Sequence, residues 1–138
     1  MGLDNGLICE NAPNTKEFDK FRDGYHTENR IEFCYWRKCW DFRNEIIDAG
    51  LGLDGGIQWE NPEKPLNYKY LTVPQLEEFR EILVKYTNPE YIEEHNEDSM
   101  WDNDEIIGIM QRELTSFDYF ISLMKQSPGL KVYFYDSY

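Results

Sequence analysis

Basic charge is what this sequence has least of relative to its opposite. Fourteen Lys and Arg face 27 Asp and Glu, a formal net charge of −13 in 138 residues. A nucleic-acid binder needs basic groups for phosphates, so that class is excluded as a direct partner. An anionic membrane surface is excluded on the same ground. Cysteine is also sparse, with three residues (Cys9, Cys34, Cys39) at irregular spacing. An odd, irregular set argues against a disulfide framework and for a reducing cytoplasm. The opening "MGLDNGLIC" lacks the basic region and apolar run of a signal peptide, and Gly6 stands where a myristoylation signal wants Ser or Thr. No apolar run approaches the roughly 18 residues of a membrane span. Neither a Ser nucleophile elbow nor a His-Glu-x-x-His motif is present, so nothing names a reaction and a non-catalytic role is expected. "GLGLDGG" lacks the Gly-Lys-Ser/Thr ending of a phosphate loop. No cofactor is called for.

What is present in quantity is aromatic: 16% of the chain, a rich supply of large core and interface groups. The length suits one domain over 1–138, able to bury a core without a metal or disulfide staple. Residues 1–10 read as a short strand. The polar stretch that follows carries turn signals at Pro13 and Asp23-Gly24, with Phe18 and Phe21 as loop anchors. "RIEFCYW" alternates Ile31, Phe33 and Tyr35 against Glu32 and Cys34, a second strand. Over 36–48, Arg37, Lys38, Asp41, Asn44, Glu45 and Asp48 form one helical face. Trp36, Cys39, Trp40, Ile46 and Ile47 form the other, and Gly50 ends the helix. Asn61-Pro62, Lys64-Pro65 and Asn67 mark turns or extended chain. Thr72 and Gln75 then spell a capping box for a helix with the stripe Leu76, Phe79, Leu83, Tyr86, ended by Asn88-Pro89. A third helix spans about 103–126 on the repeat Ile106, Ile107, Met110, Leu114, Phe117, Ile121, Met124. Ser127-Pro128-Gly129 stops it, and "LKVYFYDSY" is a final strand. The expected fold class is α+β: three helices packed on a small, mostly antiparallel sheet that includes both termini.

Two constellations stand out. Residues 90–105 hold eight carboxylates and one histidine. The run lacks the Asp-x-Asp-x-Asp-Gly spacing of a calcium loop. It reads as a solvated face or as a docking surface for a basic partner, through Glu93, Glu94, Glu97, Asp98, Asp102, Asp104 and Glu105. Arg43 is the second, a cation at the centre of an apolar helix face. Such a group needs a carboxylate, carbonyls or a bound anion. Asp4 is the expected carboxylate. A ligand clamp formed by Arg43 with Trp36 and Trp40 is the functional alternative. Cys34 and Cys39 lack two further nearby ligands for structural zinc, so no metal is expected and free buried thiols are. His26, near Tyr25 and Glu28, is the one candidate base, and a solvated loop histidine is its plainer reading.

The pieces "MGLD" (Met1 to Asp4), "YWRK" (Tyr35 to Lys38), "LTVPQLEEF" (Leu71 to Phe79), "SFDYFISLMK" (Ser116 to Lys125) and "VYFYDSY" (Val132 to Tyr138) carry a resemblance. The chain resembles a family of small bacteriophage and prophage proteins that open Met-Gly-Leu-Asp and carry a Tyr-Trp-Arg-Lys helix. It departs from them where the family often has His, a position that looks like Arg43, and at a neighbouring Asn that looks like Trp40. The resemblance implies phage or mobile-element origin and an accessory, non-virion role. With the acidic balance, the expectation is a cytoplasmic interaction protein in a bacterial host. Its partner would be a basic protein or nucleoprotein, as for an anti-CRISPR inhibitor that mimics nucleic acid. A nucleotide or small-ligand binder built on Arg43, Trp36, Trp40 and Asp4 is the alternative.

Overall fold

A computed structural model describes residues 2–10, 26–27, 30–55, 69–125 and 129–138. The chain is α+β, as the sequence predicts. Its strands are β1 (Asp4–Glu10), β2 (His26–Thr27), β3 (Arg30–Arg37), β4 (Tyr70–Leu71) and β5 (Lys131–Ser137). Its helices are α1 (Trp40–Asp48), α2 (Val73–Lys85), α3 (Pro89–His95) and α4 (Asn103–Met124). The five strands lie in the order β2-β3-β1-β5-β4, every neighbouring pair antiparallel. β1 is central and pairs with β5 from Asp4↔Ser137 to Glu10↔Lys131, so the expected pairing of the first and last strands holds. The turns at Pro13, Asp23-Gly24, Asn61-Pro62 and Lys64-Pro65, the anchors Phe18 and Phe21, and the Tyr25 and Glu28 neighbours of His26 lie outside the described residues.

One face of the sheet carries the helices. Leu7, Cys9, Ile31, Phe33, Trp36, Val132 and Phe134 meet Phe42 and Ile46 of α1, Phe79 and Leu83 of α2, and Met110, Phe117 and Phe120 of α4 in one buried cluster. Phe33 stacks on Phe120 at 4.3 Å. Burying each such side chain contributes roughly 1.5–3 kcal/mol. The opposite face holds a smaller buried cluster of Ile8, Tyr133 and Tyr135. There Gly6 lies opposite both Tyr35 and Tyr135. A Cβ on Gly6 would stand 2.4 Å from the Tyr135 ring and 2.8 Å from the Cys34 carbonyl oxygen, so only glycine admits that ring.

Local signals explain the helix ends. Thr72 and Gln75 form the reciprocal capping box at the start of α2, with a proline in the first turn. Asn88 accepts from the Glu90 amide and starts α3, one residue before Pro89. The Asn88-Pro89 pair therefore begins a helix as well as ending the reach of the last. Gly50, at φ 75°, closes α1. Its amide donates to Ile47 and that of Leu51 to Ile46, the paired bonds of a Schellman motif.

Three expectations need correction. First, α1 begins at Trp40, and Trp36 and Arg37 belong to β3. Trp36 faces inward in either conformation, so its apolar character does not tell strand from helix over so short a run. The switch is made by Lys38, at φ 57°, whose amide donates to the Leu3 carbonyl at 2.8 Å. Second, the alternation of β3 breaks at a bulge, where the register shifts between Leu7 and Ile8 of β1. The extra residue leaves Phe33 and Cys34 both buried and sends Tyr35 to the opposite face from Trp36. Third, the acidic run contains a helix, α3, making four among the described residues where three are expected. Buried Ile92 gives it an anchor.

Candidate functional site

Arg43 is buried, with 8% of its surface exposed, and every direction of its guanidinium meets a partner. Nε donates to Asp136 Oδ1 at 3.0 Å and one terminal nitrogen to Asp136 Oδ2 at 2.6 Å, a bidentate pair. The same nitrogen donates to Asp54, and the other donates to Asn44 Oδ1 at 2.9 Å. The rings of Trp40 and Tyr138 flank the cation, with centroids 5.8 and 5.3 Å from its central carbon. Asp136 is itself fully buried and also accepts from Asn5 at 2.7 Å and from the Gly55 amide at 2.8 Å. A buried charge pair survives when geometry is good and the remaining lone pairs are satisfied, and both conditions are met.

The expected partner, Asp4, is the wrong residue. It lies in β1 beside Asn5, and side chains alternate between faces along a strand. Asn5 and its cross-strand partner Asp136 point to the helices, whereas Asp4 accepts from the Tyr35 hydroxyl on the other side. The ligand clamp fails on the same geometry. Trp36 is completely buried, against Phe42 and Phe79 at 4.9 and 5.8 Å, with no ring face to offer. Trp40 alone of the two tryptophans lies near the guanidinium, and Arg43 holds this fold together.

The acidic run is different in kind. Glu93, Glu94, Glu97, Asp98, Asp102, Asp104 and Glu105 are all exposed. None forms a salt bridge among the described residues. The backbone beneath them is held. Tyr91 donates to Glu45 at 2.7 Å, the Asp98 amide to Asp41 at 3.0 Å, and Asn96 to the Trp101 carbonyl at 3.0 Å. Asp102 caps α4 by accepting from the Glu105 amide at 2.8 Å. That bond holds the Asp102 carboxyl below its usual range, and the Asp102 carboxylate raises that of Glu105.

Two clefts open among the described residues. One, of about 820 Å³, lies between α2 and α4 over Leu76, Phe117 and Ile121. The other, of about 500 Å³, lies between the end of β3 and α4, lined by Tyr35, Arg37, Trp101, Glu105, Gly108, Ile109 and Arg112. The sequence does not point to this second cleft, since the helical pattern puts Arg37 on the polar face of 36–48. An isolated glycine inside a strong helical pattern, Gly108, is the one signal that marks it.

Cys9, Cys34 and Cys39 are free and buried. Burial pushes the Cys9 thiol up to about 11 and the Cys39 thiol up to about 12. The thiolate is the reactive form, so at pH 8 these two groups are almost wholly inert. Native protein mixed with a chromogenic disulfide reagent should therefore release almost no colour, and unfolded protein should report three thiols. A fast-reacting native Cys39 would contradict the packing described. Among the described residues, no group of three or more His, Cys, Asp or Glu side chains could hold a metal ion. None of the helices there is long and apolar enough to cross a membrane.

No family model, curated protein or solved structure matches this chain.

Proposed function

We propose that this is a non-catalytic accessory protein of phage or mobile-element origin, acting by protein–protein interaction in the cytoplasm of a bacterial host. In its concrete form it inhibits a defence system, as an anti-CRISPR protein does, by placing carboxylates in a basic groove built for nucleic acid. The observation that carries this reading is the state of the run from Glu93 to Glu105: seven exposed carboxylates with no cation paired to them among the described residues, on a backbone tied to α1 and α4. Unpaired charge of one sign on a held scaffold repels copies of itself and steers a partner of opposite sign. A polyanion mimic needs both properties, because each carboxylate must take the place of a phosphate without collapsing onto a neighbouring lysine.

The test is phage plating on bacteria that carry an active nucleic-acid-targeting defence. Expression of the chain should restore plating by orders of magnitude against at least one such system. The quadruple change Glu93→Ala, Glu94→Ala, Glu97→Ala, Asp98→Ala should abolish the restoration and leave the melting temperature within a few degrees, since the four side chains are exposed. Affinity for the purified target should fall steeply with salt, because exposed charges are screened within about 8 Å at physiological ionic strength. Full activity of the quadruple variant, or salt-independent affinity, would remove the acidic run from the interface.

A further inference from the structure

The cleft between β3 and α4 departs from the character of the rest of the chain. In a protein of net charge −13, two guanidinium groups, Arg37 and Arg112, line one opening of about 500 Å³. That volume lies within the range of small-ligand sites. Arg37 is exposed and its side chain has no salt bridge among the described residues. Arg112 is 67% exposed, and one of its terminal nitrogens lies 3.4 Å from an oxygen of the fully buried Glu113, so the rest of its fork is open to solvent.

The polar atoms of the aromatic residues are already taken. The Trp101 indole nitrogen already donates to the Arg37 carbonyl at 2.7 Å. The Tyr35 hydroxyl already donates to Asp4 on the far side of the sheet. What remains for a ligand is the π surface of Trp101 beside positive charge. Gly108 adds an independent observation. It sits inside the 22-residue helix α4, where glycine is disfavoured, and a Cβ built there meets nothing within 4 Å. The protein's own packing therefore does not require a glycine at this position. Its effect is to leave the wall of the cleft bare.

We infer that this cleft is a binding site for a free mononucleotide. The phosphate would lie between Arg37 and Arg112, and the base against the ring of Trp101. Guanidinium forks match phosphate oxygens, and stacking on an aromatic ring accepts any base. Glu105 in the lining and the buried Glu113 on Arg112 offset the two arginines, so the cleft holds no surplus of positive charge. That disfavours a polyphosphate or a nucleic-acid strand and leaves recognition of one phosphate to the guanidinium forks. The inference does not rest on the acidic run as a docking surface, with which the cleft shares only Glu105 and Trp101, and its failure would leave that reading intact.

The experiment is titration of the full chain with 5′-AMP at low salt, followed by NMR at the Arg37 and Gly108 amides and the Trp101 indole. Saturable shifts with Kd below about 1 mM are expected. Adenosine and inorganic phosphate alone should each bind at least about tenfold more weakly, because each keeps half of the contacts. Arg37→Ala should weaken AMP by about tenfold or more. Gly108→Leu should abolish binding while raising the melting temperature, since it adds a strong helix former and fills only the cleft. That second variant separates loss of the site from loss of the fold. The inference is overturned by the absence of saturable AMP shifts, by undiminished binding in Gly108→Leu, or by phosphate or adenosine matching AMP.

Discussion

Replacing Arg43 with methionine is expected to destabilise the fold by about 3–5 kcal/mol, the cost of leaving a buried carboxylate without its cation. The stranded group is Asp136, which is fully buried and would keep only Asn5 and the Gly55 amide. The two carboxylates on Arg43 should not weigh equally. The Asp54 side chain is 60% exposed, so its half of the bridge is solvated and Asp54→Ala should cost little. Asp136→Ala leaves the guanidinium buried beside Trp40 with only Asn44 and the exposed Asp54 as partners and should cost several times more. The double change Arg43→Met, Asp136→Ala should lose much less than the sum of the two single changes, because it removes both charges from the interior together. Urea unfolding of the four variants and the wild type gives the comparison. Equal losses for Asp54→Ala and Asp136→Ala would sink this account, and so would a double variant as unstable as the sum.

Phe79→Ala is expected to cost a similar amount, about 3–5 kcal/mol, through a different mechanism. Phe79 has no exposed surface and meets one aromatic ring from each of four elements. Those are Trp36 of β3 at 5.8 Å, Phe42 of α1 at 6.0 Å, Phe117 of α4 at 6.1 Å and Phe134 of β5 at 5.7 Å. Truncation opens a cavity walled by rigid rings, which collapse poorly into the gap. The loss would take a large part of a typical domain's 5–15 kcal/mol. Phe79→Leu retains most of the volume and should cost roughly half as much. Chemical unfolding reads the difference, and the near-UV circular dichroism of Phe79→Ala should weaken as the ring cluster loosens. A loss below about 1.5 kcal/mol would mean that the cluster repacks freely and that α2 is not its hub.

These two sites give the acidic run its footing. Trp36, the residue before the last of β3, packs in the Phe79 cluster, and the next residue's carbonyl holds Trp101 near the end of the run. Asp41, on the same short helix as Arg43, holds the Asp98 amide. Variants that loosen the core should therefore also reduce the proposed inhibition, but with a falling melting temperature, which the surface variants should not show.

The α+β class, the capping box at Thr72, the stop at Gly50, the long helix of Ile106 to Met124 and the final strand are all legible in the sequence, because caps, stops and periodicity are local physics that act over a few residues. The need of Arg43 for a buried carboxylate is legible for the same reason: a charge in an apolar stripe demands a partner wherever the fold finds one. Which carboxylate answers is a matter of sheet register. Asp4 and Asp136 lie 132 positions apart in the chain, and only the pairing of Asn5 with Asp136 puts one inward and the other outward. The bulge in β3 is equally non-local, since it depends on how Leu7 and Ile8 of another strand meet Cys34 and Glu32. The cleft of Arg37, Trp101 and Arg112 brings together a strand end, a loop and the first turns of a helix. No spacing in the sequence encodes that meeting, because it is created by the packing of α4 across β3, a contact held by Phe33, Phe117 and Phe120 and by the Tyr35 amide, which donates to Glu113 at 3.3 Å.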